Sequence, residues 1–174
     1  NSPVTVHIMD GSTDPIESEF LENLAPNIKY RHSNDDFFTR MRAATELINT
    51  PYVALLGDDD LFVKSGLRRC VEHLDNKAEV FGVVGRSMYF FHQRGVVFGE
   101  PKHSEATNYE REIRGGIARL RNLYHPGKIG AVAYGVFRSD QWKPAIRATY
   151  AKKYSSGYVY DTFLRTLLTY TGEI

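Results

Sequence analysis

The feature that most limits what this chain can fold into is an apolar run that ends abruptly on charge. Tyr52, Val53, Ala54, Leu55 and Leu56 are followed at once by Gly57, Asp58, Asp59 and Asp60. A strand with one face in water alternates apolar and polar side chains. This run does not, so both of its faces require cover, as in a strand inside a sheet flanked by helices. In such sheets ligands bind in the crevice beyond the carboxyl ends of the strands, where this run places its carboxylates.

The flanking sequence supplies the helices and further strands. Residues 4–9 alternate, are rich in β-branched side chains and run into the turn formers Asp10, Gly11, Ser12, Thr13, Asp14 and Pro15, which reads as strand then loop. A short helix is expected over 16–24, stopped by Pro26, and a strand over 27–32. Phe37, Met41, Ala44 and Ile48 recur at helical spacing, with Ser33 and Asn34 as available caps. Val63, Leu67, Cys70 and Leu74 repeat that spacing, and residues 80–91 suit strands. Alternation of strand and helix predicts an α/β fold with a mostly parallel, Rossmann-like sheet flanked by helices. Further along, residues 95–98 can pair with 88–92 as a hairpin, 108–123 reads as a charged helix, 131–137 as a strand, and 141–150 and 161–170 as helices around a turn at 155–157.

With 174 residues, 42% of them hydrophobic and without a visible linker or repeat, the chain reads as one domain over 1–174. A formal charge of +1 gives no general attraction to nucleic acid. The lone Cys70 excludes an internal disulfide and a cysteine-cluster metal site, and its place in a helical pattern indicates packing. That cysteine usage fits a reducing cytoplasm, and no stretch approaches the ~20 apolar residues of a membrane span. A cytoplasmic protein with room for peripheral contact with a membrane is the expectation.

Three adjacent carboxylates repel one another and call for a positive partner. A hard cation such as Mn2+ or Mg2+ takes oxygen ligands and is commonly shared between one or two carboxylates and a substrate phosphate. In an extended loop alternate side chains emerge on one side, so Asp58 and Asp60 are expected to face a ligand together and Asp59 to face away. The same triplet also suits a solvated turn whose Asp60 caps the next helix. The six histidines lack zinc-ligand spacing, and no glycine-rich phosphate loop is present.

These residues together resemble a known family. The segment 52–61 resembles the strand of family-2-like, GT-A-fold glycosyltransferases that delivers an Asp-X-Asp motif, and 6–14 is similar to that family's strand and Asp-Gly-Ser loop, whose first Asp contacts the nucleotide. The helix over 40–49 stands where the family places a basic residue near the nucleotide. Residues 157–168 resemble the segment whose Asp is the catalytic base. The resemblance covers the chain from Val4 to about Gly172, and the family's usual first strand has no counterpart. It implies a GT-A-like fold without that strand, with Asp10, Arg40 or Arg42, Asp58 and Asp59 at the nucleotide, Asp58 and Asp60 on Mn2+ or Mg2+, and Asp161 as the base. The implied reaction is inverting transfer of a sugar from a nucleoside diphosphate donor, a UDP-sugar first, to a hydroxyl of a glycan or other acceptor.

Without the resemblance, Asp161 reads as a helix cap, with Arg165 one turn on either pairing with it or facing solvent. His125 and Lys128 lie in a turn that could contact diphosphate, and Tyr89, Phe90 and Phe91 read as core. Two further functions stay open: a catalytically idle nucleotide- or glycan-binding module or scaffold, and a metal-dependent nucleotidyltransferase.

Overall fold

The computed structural model describes residues 4–102, 113–125 and 132–174. The β-branched run at the start forms β1 (Val6–Asp10), the next apolar stretch forms α1 (Ser18–Leu24), and β2 (Ile28–His32) returns alongside β1 in parallel, Val6 opposite Ile28 and Asp10 opposite His32. Pro26 stops α1 in the expected way, since the preceding Ala25 is extended at φ −162°. The following helix, α2 (Phe37–Leu47), is capped by Asp36, whose side chain accepts the Thr39 amide at 2.9 Å. The expected caps Ser33 and Asn34 lie too far upstream; the Ser33 hydroxyl binds Asp35 Oδ2 instead.

The apolar run is β3 (Tyr52–Ala54), followed by α3 (Lys64–Asn76), β4 (Gly82–Val83), β5 (Ser87–Gln93), β6 (Val96–Lys102), α4 (Gly116–Leu123), a 3-10 turn at Val132–Tyr134, β7 (Val136–Arg138), α5 (Ser139–Thr149) and α6 (Gly157–Thr171). The α/β class holds, but the mostly parallel sheet does not. Among the described residues there are three small sheets: β1 with β2, the order β3-β7-β4, and β5 with β6. β7 is antiparallel to both neighbours, Ala54 opposite Val136 and Gly82 opposite Phe137. The direction follows from the route of the chain, which enters β7 from a turn beside the carboxyl end of β3 and not through a crossover helix back to its start. That turn also shortens the strand expected over 131–137, of which Ala131 lies outside the described residues. So do residues 103–112, and the expected helix over 108–123 is seen as α4 alone.

The main core gathers Phe81, Phe137, Ile146 and Leu168, none more than 1% exposed, with Trp142, Tyr160 and Leu164 around them. A smaller cluster joins Cys70, Leu74, Val80 and Val136. Consecutive residues of β7 serve one core each. The run through β3 does the same, Val53 and Leu55 packing on the main core and Tyr52 and Ala54 on the smaller one, so it is covered on both faces as far as Leu55, whereas Leu56 is 45% exposed. Arg138 fastens the end of α3 by donating to the Leu74 and Lys77 carbonyls at 2.7 and 3.0 Å, and Arg119 of α4 does so for α6 through the Thr169 and Tyr170 carbonyls at 2.7 and 2.6 Å. The aromatic stretch expected in the core is outside it: Tyr89, Phe90 and Phe91 are 48%, 56% and 48% exposed on the β5–β6 hairpin. No helix among the described residues is long and apolar enough to cross a membrane.

Candidate active site

Asp10 closes β1 at the carboxyl end of the parallel pair. Its Oδ1 accepts the Ser12 amide at 2.8 Å, and its Oδ2 accepts the Ser12 hydroxyl at 2.9 Å and the Tyr30 hydroxyl at 2.5 Å. Donors aimed at a carboxylate favour its charged form, so the acid is held down at about 2, first by Tyr30 and then by the Ser12 amide and hydroxyl. His32, paired with Asp10 across the ladder, donates from Nε2 to the Ser12 carbonyl at 2.9 Å and braces the same loop. Two side chains with short donors or rings thus fix a carboxylate that is ionised at any physiological pH.

Arg40 comes to this corner from the first turns of α2. Its Nη1 donates to the Asp35 carbonyl at 2.5 Å, and its guanidinium lies so close over Gly11 that a side-chain carbon there would sit 1.8 Å from Nη1. Gly11 thus leaves the space that the guanidinium fills over the loop after Asp10. Arg42 lies roughly 200° round the helix from Arg40 and is exposed, so the helix brings one of the two arginines to the corner and turns the other away.

The acidic segment follows β3 as a turn, with the Asp60 amide bonded to the Gly57 carbonyl at 3.3 Å. All three aspartates are exposed. Within this turn Asp59 Oδ1 and Asp60 Oδ2 are each 3.0 Å from the point where a side chain on Gly57 would begin, so both carboxylates lie over that glycine. Asp60 does not cap the next helix, since α3 starts at Lys64 behind Val63 and has no side-chain cap. Two exposed hard oxygens beside a glycine are a partial ligand set for Mn2+ or Mg2+, whose remaining positions are usually water and phosphate. Among the described residues no group of three or more His, Cys, Asp or Glu is gathered that could hold a metal by itself.

Asp161 lies on the second turn of α6, whose cap is Ser156, accepting the Tyr158 amide at 3.2 Å. The capping role open to Asp161 from sequence is therefore taken by another residue. Arg165 pairs with it, Nη2 to Oδ2 at 3.1 Å, the arginine side chain 14% exposed and the carboxylate 49%. Beside it Tyr150 is buried and pushed up to about 12, chiefly by burial and then by the negative charge of Asp161.

Packing relates these pieces. Phe38 of α2 stacks on Tyr160 of α6 at 4.2 Å, and Phe37 meets Tyr150 edge-on at 5.8 Å, so the helix carrying Arg40 abuts the start of the helix carrying Asp161. Asp36 adds an ion pair to Lys153 in the loop before α6. The β3–β7 register sets the 3-10 turn beside the carboxyl end of β3, and that turn packs on α6. Tyr30, Ser12, His32 and Tyr150 were not singled out from sequence. Ser12 carries a local signal, two residues after an Asp in a turn. The others depend on a parallel register and a helix crossing that no local pattern encodes. His125 follows α4 and is exposed; Lys128 lies outside the described residues. No protein-family model matches the chain, no curated protein matches it by sequence, and no solved structure matches it.

Proposed function

We propose that this chain is the core of a metal-dependent, inverting glycosyltransferase that moves a sugar from a nucleoside diphosphate to an acceptor hydroxyl. The observation that carries the reading is the placing of a buttressed Asp10 at a strand's carboxyl end with the Arg40 cation over the next residue, Gly11, on a helix that packs against the one bearing Asp161. Asp10 offers an acceptor to N–H groups of a nucleobase, and Arg40 offers charge to a phosphate. Asp58 and Asp60, with Asp59 beside them, would hold Mn2+ or Mg2+, which when bound would offset the charge of the departing diphosphate. Asp161 takes the proton of the acceptor hydroxyl while that oxygen bonds to the anomeric carbon and the bond to the diphosphate breaks. Arg165 orients Asp161.

A binding module without turnover is the second reading, favoured by one observation: the ion pair with Arg165 occupies the carboxylate oxygen Oδ2 of Asp161. Calorimetry with UDP and Mn2+, followed by donor turnover, separates the two. Transferase chemistry requires that Asp60→Ala abolish metal-dependent donor binding and that Asp161→Asn retain binding while transfer falls by two orders of magnitude or more. Undiminished transfer by Asp161→Asn removes the proposed base, and binding without turnover in the native chain selects the module.

A further inference from the structure

One face of α6 is hollow. Tyr158, Thr162 and Thr166 recur every four residues along it, and Val159 and Phe163 do so beside them, which makes two neighbouring ridges on a helix. The first ridge falls from a large ring to two short threonines, and the second carries another large ring, so the surface dips between the rings. Tyr154, in the loop before the helix, joins them. These six residues line a cavity of about 350 Å3, at the lower end of the size range of small-molecule sites.

Its walls are fixed. The Tyr154 amide donates to the Tyr160 hydroxyl at 2.6 Å, and that hydroxyl donates to the Lys152 carbonyl at 3.2 Å. The Tyr154 ring stands edge-on to Tyr160 at 5.0 Å and to Phe163 at 6.2 Å. Thr166 spends its hydroxyl on the Thr162 carbonyl at 2.7 Å and on the Tyr124 hydroxyl. Thr162 does not: its hydroxyl oxygen is buried and has no hydrogen-bond partner. The cavity therefore offers aromatic rings and a spare threonine hydroxyl, with no charged side chain among the described residues that line it.

That lining selects its occupant. A diphosphate calls for cations, which are found at the Arg40 corner and not here. A bare sugar brings hydroxyls on every side, and each one buried without a partner costs free energy. A neutral aromatic ring has no such cost and gains contacts with Tyr154, Tyr158 and Phe163. The cavity also adjoins the proposed base. Asp161 directly precedes Thr162 and lies three residues after Tyr158, which on a helix puts their side-chain roots about 5–6 Å apart, and its carboxylate is half exposed. We infer that the cavity seats an aromatic ring of the acceptor and so brings the hydroxyl borne by that acceptor within reach of Asp161. The inference rests on the transferase reading and adds the acceptor class to it: a hydroxyl compound carrying a neutral aryl group.

Phenyl β-glucoside and methyl β-glucoside differ only in the ring, and their titration into the full chain is followed by the NMR signals of the Val159, Thr162 and Thr166 methyl groups. The phenyl glucoside is expected to bind about tenfold more tightly and to shift those signals. Tyr158→Ala, at a side chain 73% exposed, is expected to cut that preference about fivefold while UDP with Mn2+ binds as before. Phe20→Ala, at an exposed ring on α1, is expected to change neither. Saturation with UDP and Mn2+ is expected to leave the affinity for the phenyl glucoside intact. Equal binding of the two glucosides, or a preference untouched by Tyr158→Ala, overturns the inference and leaves the transferase reading standing on metal-dependent UDP binding. Displacement of the phenyl glucoside by UDP puts the ring in the donor's place and overturns it likewise. A chain that binds no UDP in the presence of Mn2+ fails at the transferase reading, and the acceptor assignment falls with it.

Discussion

At Asp10 three hydrogen bonds from two neighbours hold one carboxylate, and the longest reach belongs to Tyr30, twenty residues away in sequence and adjacent only through the parallel register. A carboxylate whose acidity is strengthened by folding stabilises the fold above its ordinary value of 3.8, and that contribution is lost as pH falls towards about 2. Tyr30→Phe deletes the leading donor. Carbon-detected NMR titration should then show the Asp10 carboxyl moving up towards 3.8, and acid unfolding should begin at a higher pH than in the native chain. An unmoved titration would show that Ser12 alone sets the charge. Residues of this kind are only half legible in a sequence: Asp10 and Ser12 announce themselves as a turn, while Tyr30 looks like any strand tyrosine. The acidic triplet was legible as charge collected where the strand stops, while the turn that the Asp60 amide makes to the Gly57 carbonyl was not.

Among the elements, α6 carries the most functional weight, since it holds Asp161 and Arg165 on one side and Leu164 and Leu168 in the core on the other. Its first turn depends on the Ser156 cap. Ser156→Ala is expected to lower stability by about 1 kcal/mol in urea unfolding, and to reduce any turnover through Asp161 more than donor binding through Asp10 and Arg40. Equal losses in both would place the cap's effect on the whole fold. Helices with a clear apolar period were legible here, with α2, α3, α5 and α6 all near their expected places. The short strands were legible as strands but not in their bounds, since β4 and β7 are two and three residues long and end where the neighbours they pair with end.

For the whole molecule, β7 is the joint. Phe137 lies in the main core against Phe81, ring centroids 5.2 Å apart, while Val136 lies in the smaller one. Gly82 is required beside it, for a side chain there would begin 2.3 Å from the Phe137 ring. Phe137→Ala is expected to cost about 3–5 kcal/mol. Because one strand serves both clusters, the fluorescence of Trp142, the only tryptophan, should lose its native signal in the same urea transition as the far-ultraviolet dichroism. Two separated transitions would show that the clusters unfold independently.

What the sequence determined by itself was local and periodic: which segments are helical, that the run from Tyr52 to Leu56 needs cover on both faces, and that charge collects where it stops. Hydrophobic period and turn chemistry act over a few residues and so are written along the chain. The tertiary structure alone decided that β7 enters the sheet antiparallel, that Arg40 and not Arg42 lies over Gly11, and that the aromatic hairpin stands clear of the core. Each of these depends on strand register, helix rotation or the path between elements, which are set by packing among segments far apart in sequence.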